Sequence, residues 1–277
     1  MSRSRSLSSV SPVIYSTSVF LRRQHRRLRW YLGREKYAMT KSEDHFPETV
    51  VSHSSILMRK LAGTDQALQR NKITSLKTAA SLINSVVINP GEVFSFWRLV
   101  GKPVERRGFL PGLQLSFGKL VSMVGGGLCQ FSNLLHWMIL HTPMEITERH
   151  RHSFDSFPDY RRTVPFGTGA TLFYNYLDFM FRNSTPWRFQ LKTWVDESSL
   201  QGEIRSEVVP PGKFVVEERD HRFIRVNGTV YRENELWRIE TDSASSEIVT
   251  EELLMKNHAE VLYDVSEIPG IEVIEFS

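Results

Sequence analysis

The chain has one cysteine, Cys129, which follows three consecutive glycines with one leucine between them. Phe131, Leu134 and Met138 recur after it at helical spacing, which predicts a helix that begins near the cysteine. The free N–H groups and the dipole at a helix N-terminus stabilise a thiolate and lower the pKa of a thiol. The sequence therefore predicts a reactive thiol at this position.

A thiolate that attacks an acyl group needs a base, and the base needs a group that orients it. His150 and His152 lie two residues apart on a predicted strand, so both face the same side of it. We expect His152 to be the base, with His150 as its substitute. Asp178, on a later predicted strand, then orients the histidine. His136 lies about 10 Å along the helix from Cys129, at ~1.5 Å per residue, and is too far for a direct hydrogen bond.

The glycine loop and two nearby side chains are the predicted substrate contacts. Gly125, Gly126 and Gly127 allow a substrate backbone to approach closely, and the free N–H groups at the helix N-terminus can stabilise an oxyanion. Gln130 follows the cysteine on the same helix. Tyr174 belongs to an aromatic stretch that fits either sheet packing or a groove for a peptide or sugar.

Two other interpretations of the same residues remain open. A lone buried cysteine often acts only as a small apolar residue, and a glycine-rich loop often permits only a tight turn. Cys129, His150 and His152 could also be metal ligands, but their spacing matches no dedicated zinc pattern. No P-loop or dinucleotide fingerprint is present, so we expect neither a metal nor a cofactor.

Composition limits the cellular setting. The chain of 277 residues is 40% hydrophobic and 24% charged, which is ordinary for a globular protein. One cysteine cannot form an internal disulfide, which favours a reducing compartment. No apolar run approaches the ~18 residues of a membrane helix. We therefore expect a cytoplasmic protein that lies, in one interpretation, at the periphery of a membrane.

The net charge of +4 hides an uneven distribution. Residues 1–50 carry ten Lys/Arg against four Asp/Glu, whereas residues 231–277 carry three against twelve. A basic amphipathic helix is predicted over residues 19–37, and such a helix can bind an anionic membrane surface. Alternatively, its apolar stripe packs on the rest of the protein. No nucleic-acid-binding motif accompanies the charge, so no nucleic-acid partner is expected.

The elements that must position the cysteine point to an α+β fold. We predict N-terminal helices that include residues 54–68 and a helix from Asn71, and a central helix that begins at Cys129 and packs on an antiparallel sheet. A short β-hairpin is predicted around Asn227-Gly228. Three regions follow: a basic, partly disordered segment (1–50), a core domain (51–200) and a small β-rich acidic region (201–277).

Several motifs occur together in an order typical of one protein family. They are Asn-Pro-Gly-Glu-Val-Phe-Ser-Phe (89–96), Gly-Gly-Gly-Leu-Cys-Gln (125–130), Glu-Arg-His-Arg-His-Ser (148–153) and Tyr-Leu-Asp-Phe-Met-Phe-Arg-Asn (176–183). In these motifs the chain resembles the VanW family, most strongly over residues 86–190. The resemblance implies an accessory role in glycopeptide (vancomycin) resistance, without an established reaction.

Two functions of different kinds fit these observations. One is a cysteine-dependent amidase, peptidase or acyltransferase that acts on peptidoglycan-type peptides. The other is a non-enzymatic accessory protein that binds a cell-wall precursor, the glycopeptide antibiotic or a partner enzyme. The distance between the thiol and the two histidines in the folded protein would separate them best.

Overall fold

The computed structural model describes residues 12–58, 66–116, 119–151, 154–155, 158, 163–268 and 270–276. Within them the fold is α+β, as predicted. The helices are α1 (Pro12–Leu32), α2 (Gln66–Ile83), α3 (Phe96–Val100) and α4 (Cys129–Leu140). Among the described residues, no helix has the length and apolar character needed to cross a membrane.

The described strands form four separate sheets. The first sheet has the order β1-β10-β9-β2 and is antiparallel throughout; the second has the order β3-β8-β6; β4 and β5 form a hairpin. The last sheet has the order β14-β11-β12-β13-β7. The strands are β1 (Glu48–Ile56), β2 (Val87–Ile88), β3 (Val93–Ser95), β4 (Pro111–Ser116), β5 (Lys119–Val124), β6 (Glu145–Glu148), β7 (Phe154–Asp155), β8 (Met180–Arg182), β9 (Phe189–Val195), β10 (Ser199–Ser206), β11 (Gly212–Val226), β12 (Thr229–Asp242), β13 (Ile248–Val261) and β14 (Val273–Phe276).

The main core lies between the first sheet and the helices α2 and α4. The central strand β9 is buried from Phe189 to Thr193. Helix α4 lies close to β10 at Gly202, where an added Cβ would come within 2.6 Å of Met138 and 2.9 Å of Leu134. A glycine is required there because any side chain would push the Cys129 helix away from the sheet.

The prediction of a helix over residues 54–68 is wrong at its start. Residues 54–56 belong to β1, which pairs with β10 along its whole length, from Glu48 opposite Ser206 to Ile56 opposite Ser199. The partner strand supplies backbone hydrogen bonds that a local pattern cannot reveal, so tertiary pairing overrides the helical propensity. Residues 59–65 lie outside the described part, and the second predicted helix is present as α2.

Helix α1 confirms the predicted helix in the basic segment. The side chains of its apolar stripe, however, face away from the protein body and do not pack on it. The apolar residues that share one face of α1 are exposed: Phe20, Leu21, Leu28, Tyr31 and Leu32. The arginines Arg23 and Arg26 instead point toward the protein body and bond to it. The alternative in which the apolar stripe packs on the protein is therefore wrong.

The C-terminal region contains far longer strands than a small hairpin. The turn at Asn227-Gly228 is confirmed, with positive φ angles of 50° and 79° at these residues, as a tight hairpin turn requires. It joins two strands of 15 and 14 residues. The predicted boundary after residue 200 falls near the start of β10, which pairs with strands of the first sheet.

Candidate functional site

Cys129 borders a cavity of about 280 Å³. Its walls are mainly aromatic and apolar, and of the described residues that line it only Arg23 carries a charged side chain. The lining residues are Tyr15, Val19, Arg23, Trp97, Pro103, Gln114, Met123, Val124, Gly125, Leu128, Cys129, Leu172, Phe173, Tyr174 and Tyr176.

Helix α1 forms one wall of this cavity. Arg23 Nε donates a hydrogen bond of 2.6 Å to the carbonyl of Tyr174, and the Tyr15 and Tyr176 hydroxyls lie 3.1 Å apart. The ring of Tyr174 meets the ring of Trp97 edge to face, with 5.4 Å between centroids. The N-terminal segment is thus part of the site. The sequence pattern does not predict this, because it places most arginines of the helix together on one polar face.

The thiol of Cys129 is held by the backbone on the far side of the cavity. The N–H of Leu172 donates to Sγ at 3.4 Å, and the carbonyl of Leu172 lies 3.9 Å from the same sulfur. Burial raises the pKa of the Cys129 thiol. This is opposite to the direction expected from a helix N-terminus, because loss of solvent disfavours the thiolate more than the backbone contacts favour it.

The three glycines before Cys129 are needed for close backbone packing. An added Cβ at Gly126 would lie 2.0 Å from the carbonyl oxygen of Gly112, and Gly125 and Gly127 have φ angles of 79° and 92°. The N–H groups of Gly125 and Gly126 already donate to the carbonyls of Leu110 and Met123. These two N–H groups therefore cannot serve as oxyanion donors, and only Gly125 lines the cavity.

Gln130 connects two elements and does not line the cavity. Its amide nitrogen donates to Ser55 Oγ at 3.0 Å and to the carbonyl of Ile56 at 2.9 Å. These bonds fasten the first turn of α4 to the end of β1. Tyr174, in contrast, does line the cavity, as a substrate contact would.

Of the two predicted bases, only His150 lies among the described residues, and it pairs with a carboxylate outside the cavity. His150 Nε2 lies 3.0 Å from Glu148 Oε1, and no histidine is among the described residues that line the cavity. His152 lies outside the described residues. His136 is fully buried on α4 with Nδ1 2.7 Å from the carbonyl of Thr168, and burial lowers its pKa to about 3, so it is neutral.

Glu148, which the sequence pattern does not single out, is the carboxylate that contacts His150. Its two carboxylate oxygens accept hydrogen bonds of 2.6 and 2.5 Å from the guanidinium of Arg26, and Oε1 also accepts from the N–H of Asp178. Burial raises the pKa of Glu148, but the hydrogen bonds from His150 and Arg26 outweigh it and lower the pKa to about 2. The available signal was its place in the Glu-Arg-His motif.

Asp178 lies just before β8 and is buried against the start of α3. It accepts hydrogen bonds from Ser95 Oγ at 2.6 Å and from the N–H groups of Trp97 and Phe179 at 3.1 and 2.8 Å. Burial raises the pKa of Asp178 to about 6, although these donors and Arg26 favour its charged form. These contacts join α3 to the loop before β8, and none of the hydrogen bonds found between Asp178 and the described residues involves a histidine.

The described residues thus form an aromatic and apolar cavity with one cation, and burial raises the pKa of the thiol beside it. Of the two candidate bases, His150 pairs with Glu148 and His152 lies outside the described residues. Among the described residues, no group of three or more His, Cys, Asp or Glu side chains could hold a metal ion.

Comparison with known proteins gives the family. The profile described as "VanW like protein" matches residues 71–205. The Vancomycin B-type resistance protein VanW of Enterococcus faecalis is 31% identical over 256 residues, which cover 91% of this chain and 93% of that protein. The uncharacterized protein YoaR of Bacillus subtilis is 29% identical over 117 residues, covering 41% of this chain and 36% of YoaR.

No solved structure matches the chain significantly. The match to VanW extends over nearly the whole of both chains, and the range matched by the family profile includes the cysteine loop and Glu148. On this similarity, the chain belongs to the VanW family.

Proposed function

We propose that this protein is an accessory factor in vancomycin resistance that binds a peptidoglycan-type peptide in the Cys129 cavity. The proposal rests on one observation: an aromatic and apolar cavity whose described lining holds a single charged side chain, Arg23. A short peptide with a terminal carboxylate has the complementary chemistry, because small apolar side chains fit the walls and the carboxylate fits the guanidinium.

The position of Arg23 suits this role. Its Nε is fixed by the Tyr174 carbonyl, and its guanidinium lies 5.6 Å from the centroid of the Tyr174 ring. Among the described residues, no carboxylate forms an ion pair with it. The terminal N–H groups of Arg23 are therefore the natural partners for an anionic ligand, and the ligand's methyl groups would face Trp97 and Leu172.

The presence of Cys129 in the cavity wall favours a second candidate, a cysteine-dependent amidase, peptidase or acyltransferase. The thiol lies beside the space that a peptide would occupy. Its raised pKa opposes this candidate, since a thiol nucleophile must first lose its proton. Binding without a covalent step therefore has the better support.

A calorimetric titration tests the binding proposal. The probe is a peptidoglycan stem pentapeptide, compared with the same peptide as its C-terminal amide, against the full chain and Arg23→Gln. We expect about tenfold to 100-fold weaker binding for the amide and for Arg23→Gln, because each removes a charge-assisted pair. Arg27→Gln, on the exposed side of the same helix, is the matched control. Equal binding of acid and amide would overturn the proposal.

A resistance assay separates the two candidates. Vancomycin susceptibility is measured in strains that carry Cys129→Ser or Arg23→Gln at equal protein level. Binding alone predicts that Arg23→Gln loses resistance while Cys129→Ser keeps it, since a serine hydroxyl replaces the thiol with little change in shape. Loss of resistance in Cys129→Ser with unchanged peptide binding would instead establish the enzyme.

A further inference from the structure

Helix α1 has two faces with different partners, and only the inner face is used by the protein. The inner face lines the cavity through Tyr15, Val19 and Arg23 and is anchored by the Arg26–Glu148 ion pair. This anchor fixes the rotation of the helix about its own axis. The face that turns outward is therefore set by the fold and is not free to rotate inward.

The outward face is apolar along the whole helix. Its large side chains are exposed by 46% to 79% of their surface: Val13, Ile14, Phe20, Leu21, Leu28, Tyr31 and Leu32. At 100° per residue they fall within a stripe about 120° wide, which Thr17 and Gln24 share. An apolar stripe of this length on a soluble surface marks a site of interaction.

Basic residues border this stripe on both sides. Arg27 lies along one border, and Arg22, His25 and Arg29 lie along the other; all four are exposed. An apolar strip with a guanidinium group on either side fits the boundary between lipid headgroups and acyl chains, where the cations meet anionic phosphates. A second protein chain would need acidic groups placed along both borders to match the same charge pattern.

We propose that the outer face of α1 binds an anionic lipid bilayer, with the helix axis parallel to the membrane plane. The apolar stripe is buried at the level of the acyl chains, and Arg22, Arg27 and Arg29 contact the phosphates of anionic headgroups. Because the inner face of the same helix lines the cavity, the Cys129 site is held next to the bilayer surface. This inference does not depend on what the cavity binds.

Vesicle sedimentation of the full chain tests the proposal. Vesicles that contain phosphatidylcholine and about 30% phosphatidylglycerol are compared with vesicles of phosphatidylcholine alone, at about 0.1 M salt. The chain should sediment with the anionic vesicles, and its partition coefficient for the neutral vesicles should be about 100-fold lower. Each arginine contact that is removed should lower the partition coefficient about fivefold. Absence of sedimentation with the anionic vesicles would overturn the proposal.

Two sets of variants assign the binding to α1. The triple substitution Phe20→Ser, Leu21→Ser and Leu28→Ser should lower the partition coefficient on the order of 100-fold, because it removes the apolar stripe. The matched control is Ile248→Ser with Val249→Ser, which removes two exposed apolar side chains from β13. Binding that survives the triple substitution, or falls equally in the control, contradicts the proposal.

Self-association is the competing outcome for an exposed apolar face. Light scattering of the full chain and of the triple variant distinguishes it, since serine substitutions at exposed positions leave the fold intact. A stable dimer that the triple substitution dissociates, with vesicle binding unchanged, would show that a second copy covers the stripe and would overturn the membrane assignment. A monomer in both cases, with vesicle binding lost only in the variant, supports it.

Discussion

The region around Cys129 and the C-terminal sheet are stabilised in different ways. The buried hydrophobic cluster runs from Ala38 to Ile204 and includes seven fully buried phenylalanines, among them Phe131 on α4 and Phe189 on β9. The C-terminal sheet, β7 with β11 to β14, contributes no residue to that cluster. Its few buried apolar side chains, such as Phe223 and Leu236, are separated by charged ones.

The C-terminal sheet relies on arginines that contact carboxylates and rings. Arg232 is buried between the rings of Phe166 and Phe223, at 4.7 and 5.1 Å, and pairs with Asp155 at 3.2 Å. Other pairs, such as Arg225 with Glu275, are exposed. Apolar burial is non-directional and tolerates small shifts, whereas ion pairs need fixed geometry and weaken in salt. We therefore expect the two regions to respond differently to mutation.

The largest effect should follow from a cavity in the main core. Phe131, on α4, is fully buried and meets Phe96 edge to face at 5.7 Å. Phe131→Ala should lower the free energy of unfolding by about 3–5 kcal/mol, measured by urea denaturation. Amide hydrogen exchange should show the loss of protection in β9 more than in β12. Equal loss in both strands would mean that the two regions unfold as one unit.

A smaller effect is expected when the buried ion pair of the C-terminal sheet is broken. Asp155→Asn leaves the Arg232 guanidinium buried without its carboxylate, which should cost about 3 kcal/mol. Arg225→Gln, which breaks the exposed pair with Glu275, is the control and should cost less than about 1 kcal/mol. Similar costs for the two variants would show that burial of the pair does not matter here.

The weakest effect concerns the charged group inside the Cys129 region and depends on pH. The pKa of Glu148 is about 2 in the folded chain against 4.5 ordinarily, so its stabilising contribution is complete above pH 4.5 and is lost as the pH falls toward 2. In Glu148→Gln the stability should decrease less as the pH falls through this window. Thermal unfolding at each pH measures this decrease. Glu145→Gln, on the same strand, should retain the native slope.

Much of the fold followed from local pattern. The helix that begins at Cys129 and the hairpin at Asn227-Gly228 each have a periodicity or a turn signal that neighbouring residues suffice to produce. The motifs also predicted the family. The segment 54–56 was misread because its partner, β10, lies more than 140 residues away in sequence.

The site itself depended on contacts that local pattern cannot supply. The sequence by itself determined that Cys129 follows a glycine loop at the start of a helix, because backbone geometry and helical periodicity are local. Only the tertiary structure decided that burial raises the pKa of this thiol, that Glu148 and not Asp178 contacts His150, and that α1 turns Arg23 and Arg26 inward. Desolvation and ion pairing arise between segments far apart in the chain, so they exist only after the chain has folded.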